Sequence, residues 1–219
     1  MRMGLSSFDL KMIAMLSMFI DHLGAIVFPE CIWMRYIGRL AFPIYCFLLS
    51  EGFEHTKSVE AYLKRLFVFA VLSEGIFDFA FYGTFLEAEH QNVFFTLCFG
   101  LFLLEKLSQE SSASVKLFWG FGIAVAAEFL HLDYGAGGIM TVLIFWKFRE
   151  NKAALTLAMV LIHGILNRGI QSFAVLALLP IFLYNGKKGT NLKYLFYTFY
   201  PAHLLFLVLL NQIVLRMYG

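Results

Sequence analysis

The sequence predicts an all-α protein, a polytopic transmembrane helical bundle of about nine spans, and three observations support this class. Hydrophobic residues make up 60% of the 219 residues and aromatic residues 18%, and the mean hydropathy is +0.75. Only 15% of the residues are charged, against about 25% in soluble domains. Apolar segments of roughly the length that crosses a bilayer recur along the whole chain. We therefore expect residues 1–219 to form one integral-membrane domain.

Nine apolar segments approach the roughly 20 residues that a spanning helix needs. The first begins after the sequence SSFD at 6–9, which is typical of a helix N-terminus because Ser and Asp cap free backbone N–H groups. The segments between residues 135 and 184 are short. In chain order, the predicted spans are 10–28, 35–53, 62–82, 92–107, 114–130, 135–148, 152–166, 171–184 and 193–215.

The lysines and arginines predict the orientation of the bundle, because cytoplasmic loops of membrane proteins carry an excess of them. With nine spans and the N-terminus inside, most of the 17 basic residues fall on the cytoplasmic side. The exceptions are Arg35, Arg39, Arg168 and Arg216. The sequence thus predicts a cytoplasmic N-terminus, an external C-terminus and a location in the bacterial cytoplasmic (inner) membrane.

Charge and cysteine content argue against two kinds of ligand. The formal net charge is only +2 and no basic run occurs, so we expect no nucleic-acid partner. Cys31, Cys46 and Cys98 are far apart and lie in or beside apolar segments. This spacing predicts neither a disulfide framework nor a metal site.

Ionisable and amide side chains gather towards the predicted outer ends of the helices. A charged residue at the centre of a membrane helix costs roughly 2.5–3.5 kcal/mol on insertion scales, so we expect these groups to face one another and a water-filled cavity. A purely structural ion-pair network is the alternative, because Arg35 and Arg39 lie one turn apart and could pair with a carboxylate. The set comprises Asp21, His22, Arg35, Arg39, Glu74, Asp78, Asn92, Glu128, His131, Asp133, His163, Asn167, Arg168 and Gln171.

His22 is the strongest candidate for chemistry in this set. An imidazole exchanges a proton near neutral pH, which acyl transfer to an amine or hydroxyl requires. Lys11 precedes His22 on the same predicted helix by about 16 Å, at about 1.5 Å per residue, which is roughly the reach of a pantetheine arm. A nucleotide phosphate held at the inner face by Lys11, Lys64 and Arg65 would present its thioester near the imidazole.

Several motifs, spread over nearly the whole chain, resemble those of the TraX family. They are LKMIAM at 10–15, IDHLG at 20–24, RYIGRLAFPI at 35–44, NVFFTL at 92–97 and FYPAHL at 199–204. TraX proteins are associated with acetylation of the pilin N-terminus in conjugative plasmid systems, and they look like distant relatives of the membrane acyltransferase superfamily. The resemblance implies an acyltransferase-like domain that uses acetyl-CoA as acyl donor, with His22 as the catalytic base.

We predict that His22 takes a proton from the acceptor as the acceptor attacks the thioester. The neighbouring Asp21 points about 100° away on the helix, so Glu74 or Asp78 is the better candidate to orient the imidazole. Arg39 and Arg35 would stabilise negative charge on the thioester oxygen or hold an anionic acceptor. The candidate catalytic residues are therefore His22, Asp21, Glu74 and Asp78, and the candidate substrate contacts are Arg35, Arg39, Asn92, Tyr200 and His203.

The predicted acceptor is an amine or hydroxyl of an extracytoplasmic or membrane-embedded molecule. A pilin N-terminus, an envelope glycan and a lipid all suit a cavity open to the outer leaflet. Two other functions compete with the enzyme. Intramembrane acids, arginines and histidines also mark the path of a proton-coupled transporter, and the same charges could lock together the helices of a structural membrane assembly factor.

Overall fold

The computed structural model describes residues 4–166 and 169–218, with the backbone alone for Lys193 and Tyr218. All regular secondary-structure elements in these residues are helices. The only β-type pairings among them are two isolated bridges, Leu5 with Tyr184 and Gln91 with Leu132. The predicted all-α class therefore agrees with the structure. Asn167 and Arg168, which the sequence places on the outer side, lie outside the described residues.

In the described part of the chain ten α-helices form, and helical structure lies close to each of the nine predicted apolar segments. A π-helical segment, 160–166, continues α8, and a 3₁₀ segment, 169–177, precedes α9. The α-helices are α1 Ser7–Ile26, α2 Ile32–Gly38, α3 Ala41–His55, α4 Val59–Tyr82, α5 Val93–Gln109, α6 Ala113–Phe129, α7 Gly135–Lys147, α8 Lys152–Met159, α9 Leu178–Phe182 and α10 Lys193–Tyr218.

Side-chain caps fix the starts of the helices that carry the polar residues. Ser6 accepts from the backbone N–H of Asp9, and the Asp9 carboxylate accepts in return from the N–H of Ser6, which is a capping box at the start of α1. Ser58 caps α4 and Asn92 caps α5 through the same kind of bond. Such a cap is worth about 1 kcal/mol, so these helix starts are set locally.

The predicted second segment, 35–53, is divided into two helices at Arg39 and Leu40. Pro43 explains why a helix starts again just after this point. A proline has no backbone N–H, and the first turn of a helix is where the N–H groups lack a partner within the helix. The break places Gly38 and Arg39 against α1, where both contact Asp21.

The prediction of about nine membrane spans is wrong. Within residues 4–166 and 169–218, two helical stretches are long and apolar enough to cross a membrane by length and composition: Ile32–His55 and Tyr194–Met217. The predicted orientation, with the N-terminus inside and the C-terminus outside, was derived from nine crossings and therefore loses its basis.

The other segments fail for one of two reasons. Some are too short, since α5 and α6 have 17 residues and α7 has 13, against the roughly 20 that a span needs. Others are long enough but interrupted by charge: α1 has 20 residues and α4 has 24. The charges on these two helices are Asp9, Lys11, Asp21, Glu60, Lys64, Arg65, Glu74 and Asp78. Apolar composition alone therefore overstated the number of spans.

The packing of the helices brings α1, α2 and α10, which carry polar residues of the predicted site, together. α1 packs against α2, α3 and α10, and α4 packs between α5 and α10. The main hydrophobic core joins buried residues of α1, α3, α4, α5, α7 and α10, and a smaller cluster lies between α5, α6 and α7. The C-terminal half of α1, which carries Asp21 and His22, consequently lies beside α2 on one side and beside α10 on the other.

Candidate functional site

Asp21 forms the centre of a buried ion-pair group with two arginines. Its carboxylate accepts hydrogen bonds from Arg35 Nη1 at 2.9 Å and from Arg39 Nη2 at 2.6 and 2.8 Å. The Asp21 side chain is 8% exposed and that of Arg39 11%. Gly38 makes this approach possible, because a Cβ at that position would overlap the Asp21 carboxylate. The pairing matches the structural alternative that the sequence left open.

The imidazole of His22 is bound to a second histidine. His22 Nδ1 lies 2.7 Å from His203 Nε2, and His203 Nδ1 lies 2.8 Å from the carbonyl oxygen of Phe199. A carbonyl oxygen only accepts, so His203 Nδ1 carries the hydrogen. In a neutral ring, His203 Nε2 is then the acceptor for the Nδ1–H of His22. The bare nitrogen of a neutral His22 is consequently Nε2, which is the state a general base requires.

Glu74 and Asp78 bond to backbone and amide donors. Glu74 Oε2 accepts from the side-chain amide of Asn92 and from its backbone N–H, and Asp78 Oδ2 accepts from the backbone N–H of Glu87 at 3.0 Å. The second oxygen of each carboxylate, Glu74 Oε1 and Asp78 Oδ1, is buried without a hydrogen-bond partner among the described residues. The orienting partner of His22 is therefore His203, and the two carboxylates keep free acceptor atoms.

Aromatic rings surround His22 on the side of α4 and α10. The ring centroids of Phe81 and Tyr200 lie 5.3 and 6.1 Å from that of His22, each in an edge-to-face arrangement. Tyr200 in turn meets Phe94 at 5.2 Å. His22 itself is only partly buried, whereas Tyr200 is buried.

A cavity of about 480 Å³, which we call the cationic cavity, lies at the Lys11 end of α1. Lys11, Arg65 and Lys188 line it, together with Phe94 and Tyr197 on its inner wall. Burial lowers the pKa of Lys11, and the charge of Lys188 lowers it further. Arg65 Nε is buried without an acceptor in the described part of the chain. The cavity thus offers concentrated positive charge and free donors, which are the features of an anion site.

The chain segment before α10 supplies Lys188 to this cavity. Leu5 donates to the carbonyl of Leu183, and the N–H groups of Ser7 and Phe8 donate to the carbonyls of Lys187 and Lys188 at 2.8 and 3.1 Å. These bonds hold the segment against the start of α1. Sequence reasoning did not assign Lys188 to the site, because its partners lie about 180 residues away in the chain.

The three predicted phosphate contacts do not lie together. Lys11 and Arg65 line the cationic cavity, but Lys64 is exposed and is not among the residues that line it. Neighbouring residues of a helix point about 100° apart, so only one of Lys64 and Arg65 can face the interior. Arg65 takes that position, with its guanidinium carbon 5.5 Å from the centre of the Tyr62 ring.

A second cavity, of about 530 Å³, lies near the other end of α1, and we call it the outer cavity. Arg39, Asp133, His163 and Gln171 are among its lining residues. Arg39 Nη1 donates to the side-chain oxygen of Gln171 at 3.4 Å, and the Gln171 amide lies 3.4 Å from His163 Nδ1. With its further bonds to Asp21 and to the Arg35 carbonyl, Arg39 has a protein acceptor at each of its three side-chain nitrogens.

Asp133 is the acidic group of the outer cavity whose ionisation the protein changes most. It lies in the connection between α6 and α7 and faces the cavity. Desolvation by the surrounding protein raises the pKa of its carboxyl to about 6, and the positive charge of Arg39 opposes this rise, although the residue as a whole is exposed. Sequence reasoning placed Asp133 at the outer side without a role, and only the fold reveals its surroundings.

The predicted residues therefore divide into three groups. The first is the ion-pair group of Asp21, Arg35 and Arg39. The second is the pair of hydrogen-bonded histidines His22 and His203, which we call the dyad, with Tyr200 next to it. Glu74, Asp78 and Asn92 form a third group on α4 and α5. His22 is not among the residues that line either cavity described above; Phe94 lines the cationic cavity and contacts Tyr200, which in turn contacts His22.

Comparisons with known proteins give the family. A probable fimbrial assembly protein, FimC of serogroup H1, from Dichelobacter nodosus is 31% identical over 230 residues, covering 91% of this chain and 93% of that protein. An uncharacterized protein from Rickettsia prowazekii (strain Madrid E) is 46% identical over 44 residues, 20% of this chain and 18% of that protein. No solved structure matches the chain. The family model described as TraX protein matches residues 6–211, so the chain belongs to the TraX family, as its motifs predicted.

Proposed function

We propose that the protein is a membrane-bound acetyltransferase that moves an acetyl group from acetyl-CoA to an amine or hydroxyl. One observation carries this proposal: the hydrogen-bond chain from the Phe199 carbonyl through His203 to His22, which leaves Nε2 of a neutral His22 as a proton acceptor. A histidine held in one tautomer by a second group is the arrangement that general-base catalysis uses.

In the proposed reaction, the acceptor nitrogen or oxygen attacks the carbonyl carbon of the thioester. The new C–N or C–O bond forms, the C–S bond breaks, and the proton of the acceptor passes to His22 Nε2. That proton then goes to the departing thiolate, so the products are the acetylated acceptor and CoA with a free thiol. The free oxygens of Glu74 and Asp78 are suited to accept hydrogen bonds from the acceptor.

The cationic cavity is the proposed site for the phosphates of acetyl-CoA. Lys11, Arg65 and Lys188 supply the charge, and an anion would relieve the repulsion between the two lysines. The acyl end would extend along α1, over the distance of about 16 Å that separates Lys11 from His22 on a helix. To reach His22 it must pass the contact between Phe94 and Tyr200, so these rings have to separate when the donor binds.

The cytoplasmic membrane is the proposed location, with the cationic cavity facing the cytosol. The two helices that are long and apolar enough to cross a membrane are antiparallel at this cavity: Glu51 and His55 near the end of one line it, and so does Phe196 near the start of the other. Lys187 and Lys188 precede the second helix, and an excess of basic residues marks cytoplasmic ends. Acetyl-CoA in the cytosol could then enter directly.

The proposed acceptor is a subunit of a surface appendage. The Dichelobacter nodosus relative carries the name of a probable fimbrial assembly protein, and the two proteins align over most of both chains. The same name also suits a scaffold without catalytic activity. Acetyl transfer separates the two possibilities, because a scaffold has no use for the thioester.

The experiment is an acetyl-transfer assay on membranes that contain the protein, with labelled acetyl-CoA and the cell-envelope proteins as acceptors. We expect label to enter a membrane or envelope acceptor with the wild-type chain and with Leu16→Ala, which changes an exposed residue of the same helix. We expect His22→Ala to reduce transfer by about 10²–10⁴-fold, the usual contribution of a general base. Undiminished transfer by His22→Ala would remove His22 from the mechanism.

A further inference from the structure

One carboxylate lies at the edge of the cationic cavity. Among the described residues that line this cavity, Glu51 is the only acidic one, beside Lys11, Arg65 and Lys188. Its side chain is 14% exposed, so its charge is only partly screened by solvent. A free carboxylate here would repel the phosphates that the cavity is proposed to bind.

Arg149 holds this carboxylate from outside the cavity. Arg149 Nη2 lies 3.6 Å from Glu51 Oε1 and Nη1 lies 3.3 Å from Glu54 Oε2, and Arg149 Nε donates to Glu150 Oε1 at 3.2 Å. Arg149 is not among the lining residues, so its guanidinium does not contact a bound anion directly, and Glu51 is the cavity residue with which it pairs. Glu54 is in turn held by the indole N–H of Trp146 at 2.8 Å, which fixes the end of α3 against the end of α7.

We propose that Arg149 is a positioning residue that sets the affinity of the cationic cavity for nucleotide phosphates by neutralising Glu51. This inference rests on the proposed function, because it takes the cavity to be the donor site. The guanidinium, which Glu51 shares with Glu54 and Glu150, offsets part of the Glu51 charge and draws the Glu51 carboxylate towards the junction of α3 and α7. The net charge that a phosphate meets is then set by the lysines and Arg65.

The expected effect follows from Coulomb's law. A carboxylate several ångströms from a phosphate, at the intermediate effective dielectric of a protein surface, weakens binding by a factor of about ten. Because the interaction passes through Glu51, removing both charges should restore the affinity. That non-additivity distinguishes neutralisation of Glu51 from a general structural role of Arg149.

The test measures the Kd of CoA for the purified full-length protein in detergent. We expect Arg149→Met to raise the Kd about tenfold, and Arg149→Met combined with Glu51→Gln to return it to within about twofold of Glu51→Gln alone. Lys147→Met is the matched control, since it removes a positive charge from an exposed side chain at the end of α7 and should leave the Kd within about twofold. The effect of Arg149→Met should shrink at high salt.

A second variant covers the case in which Arg149→Met does not fold. Arg149→Gln keeps hydrogen-bonding groups near Glu54 without the charge, and it should show the same loss of affinity. Failure of Glu51→Gln to restore binding, or an unchanged Kd in both Arg149 variants, would overturn the role of Arg149 and leave the donor site standing. If the wild-type protein binds no CoA, the proposed donor site and this inference both fail.

Discussion

The two histidines of the site determine each other's protonation. His203 can donate only to the Phe199 carbonyl, and this leaves its other nitrogen to accept from His22. Sequence reasoning placed His203 among the substrate contacts and chose Glu74 or Asp78 to orient His22. It could not identify this pair, because 181 residues separate the two histidines.

His203→Ala should lower kcat for acetyl transfer by about 10–100-fold, the usual cost of losing a group that orients a functional imidazole. The KM for acetyl-CoA should change little, since His203 does not line the cationic cavity. His203→Gln should retain more activity, because a side-chain amide oxygen can accept from His22 Nδ1–H. Leu209→Ala, at an exposed position of α10, is the control. A wild-type kcat in His203→Ala contradicts the orienting role.

Asp21 has a structural part in the site, because it holds Arg35 and Arg39 at the junction of α1 and α2. Asp21→Asn leaves the largely buried guanidinium of Arg39 and the partly exposed guanidinium of Arg35 without their counter-charge, so we expect a loss of roughly 3–5 kcal/mol in the free energy of unfolding. Chemical denaturation in detergent measures this loss. Glu30→Gln, at an exposed site in the α1–α2 connection, should cost little. Equal stabilities of the two variants would exclude the structural role.

Asp133 should make stability depend on pH. Its pKa is about 6 in the folded protein, against an ordinary value of 3.8. The folded state therefore binds the proton more tightly than the unfolded state, so this residue favours folding most at low pH, and that contribution is lost as the pH rises towards and through 6. Because Asp133 is exposed and solvent screens its charge, Asp133→Asn should raise the Tm relative to wild type at pH 7.5 by only about one degree and leave it nearly unchanged below pH 4. A Tm difference that is the same at both pH values contradicts the raised pKa.

The polar site forms where helices α1 and α2 pack closely against each other. α1 and α2 meet at Gly24 and Gly38, where an added Cβ would overlap Met34 and Asp21 respectively. The sequence predicted helices at the right places, because apolar composition and caps are local signals. The division of α2 from α3 and the π and 3₁₀ segments near residues 160–177 were not predicted, because apolar composition does not indicate where a helix is interrupted.

Gly38→Ala tests this packing. The added methyl group would force the Asp21 carboxylate away from its arginines, so we expect a loss of about 1–3 kcal/mol in stability and a fall in activity. Gly120→Ala in α6 is the matched control, because a Cβ there meets nothing within 4 Å. That change should stabilise the protein by roughly 0.5–1 kcal/mol, as it does in an open helix interior. A stabilising Gly38→Ala would show that α1 and α2 do not meet at this point.

At the scale of the whole molecule, the apolar composition predicted a protein that lies in a membrane. It did not predict how many helices could cross that membrane. Of the apolar segments, only Ile32–His55 and Tyr194–Met217 combine sufficient length with few charges within the described residues. Both run past the dyad region: Arg35 and Arg39 belong to the first stretch and His203 to the second. The cationic cavity lies at one end of this pair, and the ion-pair group of Asp21 lies towards the other.

In the proposed reaction, a thioester bound at the cationic cavity reaches His22. Cross-linking with a CoA thioester that carries a photoreactive acyl group tests it directly, with the modified residues mapped by mass spectrometry. We expect labelling of Tyr200, Phe81 or the peptide around His22, and we expect free CoA to prevent it. Labelling confined to the mouth of the cavity, at residues such as His55 or Lys188, would contradict the account.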